Sequence, residues 1–187
     1  MDSVAIKKKE LKPAVFLDRD GVINVDFGHV GDPSKIVYVE DSLQSIKLFN
    51  ELGFRVFVVT NQAGIGKGLY SEEDYLACME RILSDLNDIG AFYDDIRFCP
   101  YHSEAVVSKY CVDNHFWRKP NPGMILDIML DWNTKVSDSF IIGDKQSDIA
   151  AAQEAGLKGY LFNQMDNLLD FVKDIPEIKE RLNLLQV

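Results

Sequence analysis

The sequence predicts an α/β fold with a doubly wound, Rossmann-like parallel sheet. Short apolar runs of strand length alternate along the chain with longer segments in which apolar residues recur every three or four positions. A recurrence every three or four positions places the apolar residues on one face of an α-helix. Strands that alternate with helices pair in parallel through right-handed crossovers. Ligands bind such sheets beyond the carboxyl ends of the strands, so the residues that follow each strand are the candidates for chemistry.

The predicted elements follow one another in a regular order. The predicted strands are 14–17, 55–60, 95–98, 139–142 and 159–162, and the helices between them are 42–52, 71–90, 121–132 and 146–155. Ser71 is a typical helix N-cap, and Gly90 and Gly156 are typical of helix ends. One or two further helices complete the chain. Residues 99–118 show no clear periodicity, which predicts a long loop.

Length and composition indicate one globular domain over residues 1–187. A chain of 187 residues, 47% of them hydrophobic, is long enough to bury a core of ordinary size. The longest apolar runs have strand length, well short of the roughly eighteen residues that a membrane span needs. Residues 1–13 carry four lysines but no apolar stretch behind them, so we expect a short flexible arm and no secretory signal.

The chain is acidic, with a formal net charge of −10 and a pI near 4.7. That charge disfavours nucleic acid as a steady partner, because phosphate backbones need a basic surface. It also means that a phosphate substrate needs local cations to overcome a repulsive background.

Three cysteines without a signal peptide are typical of a reducing compartment, so we predict a cytoplasmic protein. We expect a monomer whose partner is a small molecule.

Two carboxylates follow the first predicted strand. Asp18 and Asp20 lie two positions apart, and Gly21 lets the chain turn away sharply. Carboxylates with this spacing can converge on one metal ion. A polar turn after a strand explains the same residues without any chemistry, and this short segment alone does not separate the two interpretations.

The second predicted strand ends at a hydroxyl and a glycine-rich run. Thr60 is followed by Asn61 and Gln62, and then by residues 63–68 with three glycines and Lys67. A hydroxyl and free backbone N–H groups at a strand end suit a phosphate oxygen. Taken alone, the glycines favour a merely flexible turn. The run lacks the Gly-Lys-Ser/Thr ending of a Walker motif.

Charged residues also accompany the fourth predicted strand. Asp144 follows it, and Asp148 lies one turn further on, where it either caps a helix or belongs to a metal site. Arg118 and Lys119, fixed by a following proline, supply cations, although such a pair is usually solvated. We infer one site, because carboxylates, a hydroxyl and cations all fall at predicted strand ends.

Four segments together resemble the signatures of the haloacid dehalogenase superfamily. They are Asp18-Arg19-Asp20-Gly21-Val22, Val59-Thr60-Asn61, Arg118-Lys119-Pro120, and Gly143-Asp144-Lys145 with Asp148. Within the superfamily, residues 14–163 resemble the branch that contains D-glycero-D-manno-heptose 1,7-bisphosphate phosphatases and histidinol-phosphate phosphatases. The closer match is carried by segments 16–21, 60–65 and 118–124.

The resemblance implies a Mg²⁺-dependent phosphatase that works through an aspartyl-phosphate. It implies that Asp18 is the nucleophile and that Asp20 is the general acid and base. It places Mg²⁺ on Asp18, Asp144 and the backbone carbonyl of Asp20, with Asp148 in support. The remaining implied roles are phosphoryl binding by Thr60 and Asn61, charge neutralisation and orientation of Asp18 by Lys119, and substrate binding by Gln62, Lys67 and Arg118.

The spacing between the first two motifs indicates the size of any cap domain. Only 39 residues separate Asp20 from Thr60, which leaves no room for a cap once a helix and a strand are counted. We therefore expect an open, capless site whose specificity is set by loops 23–38, 63–70 and 99–118.

The branch often holds the last of these loops with structural zinc. Here Tyr101, His115 and Trp117 stand where three of the usual ligands are expected. An alternative Cys₂His₂ shell is offered by Cys99, His102, Cys111 and His115. Because the spacing is not that of the branch, structural zinc is possible but is not what we expect.

The expected substrate is a heptose 1,7-bisphosphate cleaved at C7, on the route to nucleotide-activated heptose for lipopolysaccharide or another surface polysaccharide. Segment 24–30 resembles the specificity loop of the heptose enzymes, and Lys67 and Arg118 are placed to bind a second phosphate. Histidinol phosphate is the alternative substrate, followed by 3′-phosphorylated polynucleotides. The alternatives from other classes are a phosphotransferase and a non-catalytic phospho-ligand binding protein, the latter disfavoured because both Asp18 and Asp20 are present.

Overall fold

The computed structural model describes residues 10–185, which build a layered α/β structure. The strands are β1 Ala14–Leu17, β2 Arg55–Asn61, β3 Asp95–Cys99, β4 Phe140–Gly143 and β5 Lys158–Leu161. The helices are α1 Ser42–Glu51, α2 Ala63–Gly66, α3 Glu72–Asp88, α4 Gly123–Asp131, α5 Gln146–Glu154, α6 Leu168–Lys173 and α7 Pro176–Leu185. All five strands pair in parallel, in the order β3-β2-β1-β4-β5. The predicted doubly wound parallel sheet is confirmed.

Helices cover both faces of the sheet, because successive strand residues point to opposite sides. Val15 and Leu17 of β1 belong to a core that includes residues of α1, α3, α6 and α7. Ala14 and Phe16 belong to a second core with residues of α4 and α5. All four side chains are fully buried. A strand buried on both faces must be apolar throughout, which explains why β1 appears in the sequence as an unbroken apolar run.

The sheet reverses its direction of winding at β1. This strand pairs with β2 on one side and with β4 on the other, so the chain winds away from it in both directions. The backbone N–H of Asp18 donates to the carbonyl of Ile142 at 3.0 Å, which keeps the carboxyl ends of β1 and β4 together. Doubly wound sheets have a crevice at such a point, and the candidate residues lie there.

The ends of α3 follow the signals in the sequence. The hydroxyl of Ser71 accepts from the backbone N–H of Asp74, and the Asp74 carboxylate accepts from the backbone N–H of Ser71. This reciprocal cap satisfies backbone donors that the first turn of a helix leaves free. The chain then leaves the helix through Gly90, whose φ of +73° lies in the left-handed region.

Residues 10–13, the last part of the predicted flexible arm, form hydrogen bonds with other parts of the chain. The backbone N–H of Lys12 donates to the carbonyl of Asn133, and the backbone N–H of Lys135 donates to the carbonyl of Lys12. The guanidinium of Arg55 donates to the carbonyl of Glu10 at 2.6 Å. These bonds hold the segment against the chain that leads into β4. The rest of the predicted arm, residues 1–9, lies outside the described residues.

The segments that connect the strands and helices agree in part with the predicted loops. Between β1 and β2 the chain holds one 3₁₀ turn and α1, so no cap domain is inserted within residues 18–54. The predicted loop 63–70 begins instead with the single helical turn α2. Residues 99–118 are irregular except for the last residue of β3 and a 3₁₀ turn at Ser108–Tyr110. Within residues 10–185, every helix is too short or too polar to cross a membrane.

Candidate active site

Asp18 lies just beyond the carboxyl end of β1 and is 5% exposed. The chain leaves it through a tight turn in which Gly21 has a φ of +87°. A Cβ atom at Gly21 would lie 2.4 Å from Oδ2 of Asp144, so this position requires glycine for space as well as for conformation. The sharp turn predicted at Gly21 is confirmed, and it brings the end of β1 against the end of β4.

Three carboxylates form one cluster at these strand ends. One oxygen from each of Asp18, Asp144 and Asp148 lies within 4.8 Å of the others, a spacing that a single cation can bridge. Oδ1 of Asp144 is buried and accepts no hydrogen bond. A buried oxygen atom normally has a partner, and a cation is one such partner. Within residues 10–185, no other set of His, Cys, Asp or Glu side chains converges in this way.

Lys119 is the positive charge built into the cluster. Its Nζ lies 3.2 Å from Oδ2 of Asp18 and 2.5 Å from Oδ1 of Asp148, and it also donates to the carbonyl of Val59. A second ammonium, Nζ of the more exposed Lys145, lies 3.6 Å from Oδ2 of Asp144 and also pairs with Asp26, so the carboxylates still outnumber the cations. Burial accordingly raises the pKa of Asp18 to about 7 against the opposing effect of Lys119, and burial also raises the pKa of Asp144.

These properties fit Mg²⁺. A divalent cation would supply the missing positive charge and a partner for the buried Oδ1 of Asp144. The converging ligand atoms are all carboxylate oxygens, which a hard ion such as Mg²⁺ prefers over nitrogen or sulfur.

Asp148 fulfils both roles that its sequence position allows. It lies in the first turn of α5, where its Oδ2 accepts from the backbone N–H of Lys145 at 3.0 Å. Its other oxygen pairs with Lys119. A Cβ atom at Gly143 would lie 2.2 Å from the Cβ of Asp148, so the glycine before Asp144 makes room for this side chain. Asp148 is therefore both a helix cap and a member of the cluster.

The carboxylate of Asp20 is held by three other side chains. Nε and Nη2 of Arg19 donate to Oδ1 at 3.1 and 2.8 Å, and Nη2 also donates to Oδ2 at 2.8 Å. Nδ2 of Asn24 donates to Oδ1, and Nε2 of Gln62 donates to Oδ2, both at 2.9 Å. Sequence analysis did not identify Arg19 or Asn24 as site residues, although the position of Arg19 between two aspartates is a signal for it.

Strand β2 carries Thr60 and Asn61 to the same edge of the sheet. Oγ of Thr60 accepts from Nε2 of Gln62 at 3.0 Å, which leaves the hydroxyl proton of Thr60 free to be donated. Both polar groups of Asn61 bind the backbone of Lys119: Nδ2 donates to its carbonyl, and Oδ1 accepts from its N–H. The Asn61 side chain thus positions Lys119, and the second N–H of its Nδ2 remains for the phosphoryl contact predicted for it.

The side chain of Gln62, predicted to bind substrate, makes its hydrogen bonds to protein groups. The side chain is 1% exposed, and both N–H directions of its amide are used, one toward Asp20 and one toward Thr60. Its Oε1 accepts from the hydroxyl of Tyr70 at 2.6 Å. Gln62 lines the cavity, but its hydrogen bonds go to protein groups. Tyr70 was not identified from the sequence.

One cavity of about 560 Å³ joins these residues. Its buried lining residues include Asp18, Thr60, Gln62, Lys119 and Asp148. Its more exposed lining residues include Lys67 and Arg118, for which substrate binding was predicted, together with His29, His102 and Lys145, for which it was not. Cations and imidazoles therefore lie in the same space as the carboxylate cluster.

Two contacts fix the exposed part of the cavity. Nη1 of Arg118 donates to the carbonyl of Tyr101 at 3.1 Å, which leaves the other guanidinium nitrogens available. Nζ of Lys145 pairs with Asp26 at 2.9 Å. The second contact joins the 23–38 loop to the turn between β4 and α5, two segments far apart in the chain.

The four residues considered for zinc have other partners in the 99–118 loop. Cys99 is buried, whereas Cys111 is exposed and its Sγ lies 3.3 Å from the carbonyl of Ser103. Nδ1 of His102 and Nδ1 of His115 each accept from a nearby backbone N–H, and His115 stacks on Tyr101. They do not converge on a common point, so the structure offers no preformed shell in this part of the chain.

Comparison with known proteins places the chain in a family. Residues 116–164 match the family model described as HAD-hydrolase-like. The chain is 42% identical over 165 residues to the D-glycero-beta-D-manno-heptose-1,7-bisphosphate 7-phosphatase of Rhodopseudomonas palustris, covering 88% of this chain and 90% of the relative. It is 43% identical over 144 residues to the D-glycero-alpha-D-manno-heptose-1,7-bisphosphate 7-phosphatase of Burkholderia mallei, covering 77% and 76%.

Solved structures agree with these relatives. The D,D-heptose 1,7-bisphosphate phosphatase from B. bronchiseptica, solved in complex with magnesium and phosphate, matches with a TM-score of 0.74 and 27% identity, over 93% of this chain and 98% of that chain. Sequence identity over most of both chains, together with a shared fold over nearly the whole length, is stronger evidence than the motifs alone. On these grounds the chain belongs to the haloacid dehalogenase superfamily and, within it, to the D-glycero-D-manno-heptose 1,7-bisphosphate 7-phosphatase family.

Proposed function

We propose that this protein hydrolyses the C7 phosphate of D-glycero-D-manno-heptose 1,7-bisphosphate through an aspartyl-phosphate on Asp18, with Mg²⁺ as cofactor. The names of the relatives support the substrate. The observation that carries the proposal is the layout of the cavity, in which the buried pair of Asp18 and Lys119 shares one space with the cations Lys67 and Arg118. A bisphosphate substrate needs the Asp18–Lys119 pair for the phosphate that is cleaved and a second set of cations for the phosphate that remains. The product, a heptose 1-phosphate, would continue toward nucleotide-activated heptose.

In the first step, an oxygen of Asp18 attacks phosphorus, and the bond between phosphorus and the C7 oxygen breaks. Lys119, 3.2 Å from Oδ2 of Asp18, orients this carboxylate and offsets negative charge on the phosphoryl group. Asp20 donates its proton to the departing oxygen, so that the sugar leaves as an alcohol. The free hydroxyl proton of Thr60 is available to a phosphoryl oxygen.

In the second step, water hydrolyses the aspartyl-phosphate. Asp20, now ionised, accepts a proton from the water as its oxygen attacks phosphorus, and this proton replaces the one lost in the first step. The bond between phosphorus and the Asp18 oxygen breaks, which releases inorganic phosphate and restores the carboxylate. The hydrogen bonds from Arg19 and Asn24 would hold Asp20 at the site through both steps.

The metal is proposed to bind Asp18, Asp144 and the backbone carbonyl of Asp20. Asp148 would support this arrangement through Lys119 and the backbone N–H of Lys145. When bound, Mg²⁺ supplies positive charge that reduces the repulsion between Asp18 and the phosphoryl group. The convergence of Asp18, Asp144 and Asp148 and the unpartnered oxygen of Asp144 support this assignment.

The second phosphate, on C1, is proposed to bind Lys67 and Arg118. Charge-assisted hydrogen bonds to these cations are of use only to a substrate with a second anionic group. Partial burial and the neighbouring Arg118 and Lys67 lower the pKa of His102, so this imidazole would serve as a neutral hydrogen-bond partner. The net charge of the chain is −10, so a cationic part of the cavity is what lets an anionic substrate approach.

A substrate screen with release of inorganic phosphate tests this function. It compares the α and β anomers of heptose 1,7-bisphosphate with histidinol phosphate and 3′-phosphorylated DNA, each with Mg²⁺. We expect kcat/KM for one heptose anomer to exceed that for both other classes by at least about tenfold, because distal binding energy acts in the transition state.

Each other outcome of the screen has a definite meaning. Faster turnover of histidinol phosphate would transfer the assignment to that substrate. Binding without release of phosphate would favour a non-catalytic phospho-ligand protein. Transfer of phosphate to a second acceptor, without free phosphate in water, would favour a phosphotransferase.

A further inference from the structure

We propose that Tyr70 is a positioning residue for the catalytic carboxylate of Asp20 and that it acts through the amide of Gln62. The inference rests on the proposed role of Asp20 as general acid and deepens it. Tyr70 lines the same cavity as Asp18 and Lys119, and its hydroxyl donates to Oε1 of Gln62.

The hydrogen bonds of Gln62 define the orientation of its side-chain amide. A primary amide accepts through its oxygen and donates through its nitrogen. The Tyr70 hydroxyl donates to Oε1 at 2.6 Å, which leaves Nε2 facing Oδ2 of Asp20 at 2.9 Å and Oγ of Thr60 at 3.0 Å. Burial raises the pKa of Tyr70 above its ordinary value, so the hydroxyl keeps its proton.

Loss of the Tyr70 hydroxyl would remove the group that fixes this orientation. Oε1 of Gln62 would then be a buried acceptor without its donor, which is costly because the side chain is 1% exposed. Rotation of the amide by half a turn would place Oε1 against the Asp20 carboxylate, where two acceptors repel each other. The expected result is an Asp20 carboxylate with a less well-defined position.

Two glycines provide the space for the Tyr70 ring. A Cβ atom at Gly31 would lie 2.2 Å from Cγ of Tyr70, and a Cβ atom at Gly64 would lie 2.3 Å from Cε1. Neither glycine has a positive φ, so neither is required by backbone conformation. Gly31 belongs to the 23–38 loop and Gly64 to α2. The ring is thus held between the 23–38 loop and α2, both of which border the cavity, and its hydroxyl has little freedom to find another partner.

The test uses the fact that a general acid matters most for a poor leaving group. Leaving-group release is measured in a single turnover with enzyme in excess, which isolates the first step. The two substrates are heptose 1,7-bisphosphate, whose alkoxide needs a proton, and p-nitrophenyl phosphate, whose phenolate does not. For Tyr70→Phe we expect about a tenfold slower release from the sugar and less than about a twofold change for the aryl phosphate.

Tyr160→Phe is the matched control. The hydroxyl of Tyr160, in β5, also donates a hydrogen bond to a side chain, to Glu177 at 2.7 Å, but Tyr160 does not line the cavity. This variant should leave both rates unchanged. Unfolding temperatures of both variants, measured by circular dichroism, report any purely structural effect. Equal losses on the two substrates for Tyr70→Phe would overturn the proposal.

A double variant tests whether Tyr70 acts through Gln62. If it does, Tyr70→Phe added to Gln62→Ala should slow release no further than Gln62→Ala alone. Additive losses would show that Tyr70 acts by another route and would overturn the proposal.

Asp20→Asn in the same assay separates the inference from its premise. This variant should show the same dependence on the leaving group, to a larger degree. If Asp20→Asn slows both substrates equally, the acid role of Asp20 is wrong and the inference fails with it. If Asp20→Asn shows the dependence and Tyr70→Phe does not, the inference alone is wrong.

Discussion

Nζ of Lys119 lies 3.2 Å from Oδ2 of Asp18, and both side chains are almost completely buried. An asparagine in place of Asp18 would keep the shape of this contact but would lose the nucleophilic oxygen and a metal ligand. We expect Asp18→Asn to lower kcat by at least about a thousandfold, measured as phosphate release. Burial raises the pKa of Asp18, so the fold disfavours the charged form of this carboxyl group. The uncharged variant should therefore unfold at a temperature no lower than that of the native protein.

One result would contradict the prediction for Asp18→Asn. If the folded variant retains more than a few per cent of native activity, Asp18 is not the nucleophile. Circular dichroism establishes that the variant is folded. Mass spectrometry of the native enzyme, quenched in acid during turnover, should detect a phosphorylated peptide containing Asp18, and the variant should lack it.

The carboxylate cluster predicts a requirement for Mg²⁺ and inhibition by Ca²⁺. Calcium accepts more ligands at longer distances, so it would occupy the cluster and misplace the attacking oxygen. Activity should be lost on chelation, restored by Mg²⁺ and suppressed when Ca²⁺ is added. Full activity after exhaustive chelation would refute this prediction.

Thermal denaturation separates binding of the metal from its effect on catalysis. Mg²⁺ should raise the unfolding temperature of the native protein, since a ligand that binds only the folded state stabilises it. The shift should shrink in Asp144→Asn. Asp131→Asn, an exposed residue paired with Arg97, is the matched control and should keep the full shift.

We predict no tightly bound zinc in the 99–118 loop, or at most a substoichiometric amount. Cys111 is exposed, and both His102 and His115 accept backbone hydrogen bonds through Nδ1. Elemental analysis of the purified protein checks this. One zinc per chain that is lost in Cys111→Ser would overturn the prediction and identify Cys99, His102, Cys111 and His115 as its shell.

Arg118→Ala should reduce activity on the bisphosphate far more than activity on an aryl phosphate. The guanidinium is proposed to bind the distal phosphate, and an aryl phosphate has no such group. We expect at least about a tenfold loss of kcat/KM on the bisphosphate and less than about a threefold loss on p-nitrophenyl phosphate. Arg81→Ala, on the outer face of α3 and paired with Asp85, is the control. Equal losses on both substrates would remove the distal-phosphate role of Arg118.

The sequence alone determined the layers of the fold and the location of the site. Strands buried on both faces must be apolar, and helices with one buried face must show a period near 3.6, so both patterns are present in the chain itself. Because the carboxyl ends of parallel strands meet at one edge, Asp18, Thr60 and Asp144 could be placed together without coordinates. Their residue types then predicted a phosphate and a hard cation.

Only the tertiary structure decided which partners the polar side chains of this site have. Asn61 binds the backbone of a residue 58 positions away, and Asp26 pairs with one 119 positions away. No local pattern encodes such contacts, because they depend on how whole elements pack. For the same reason, the contact of Gln62 with Asp20 and the seat of Tyr70 between Gly31 and Gly64 could not be predicted. Side-chain hydrogen bonds at this site join segments that folding, and not sequence spacing, brings together.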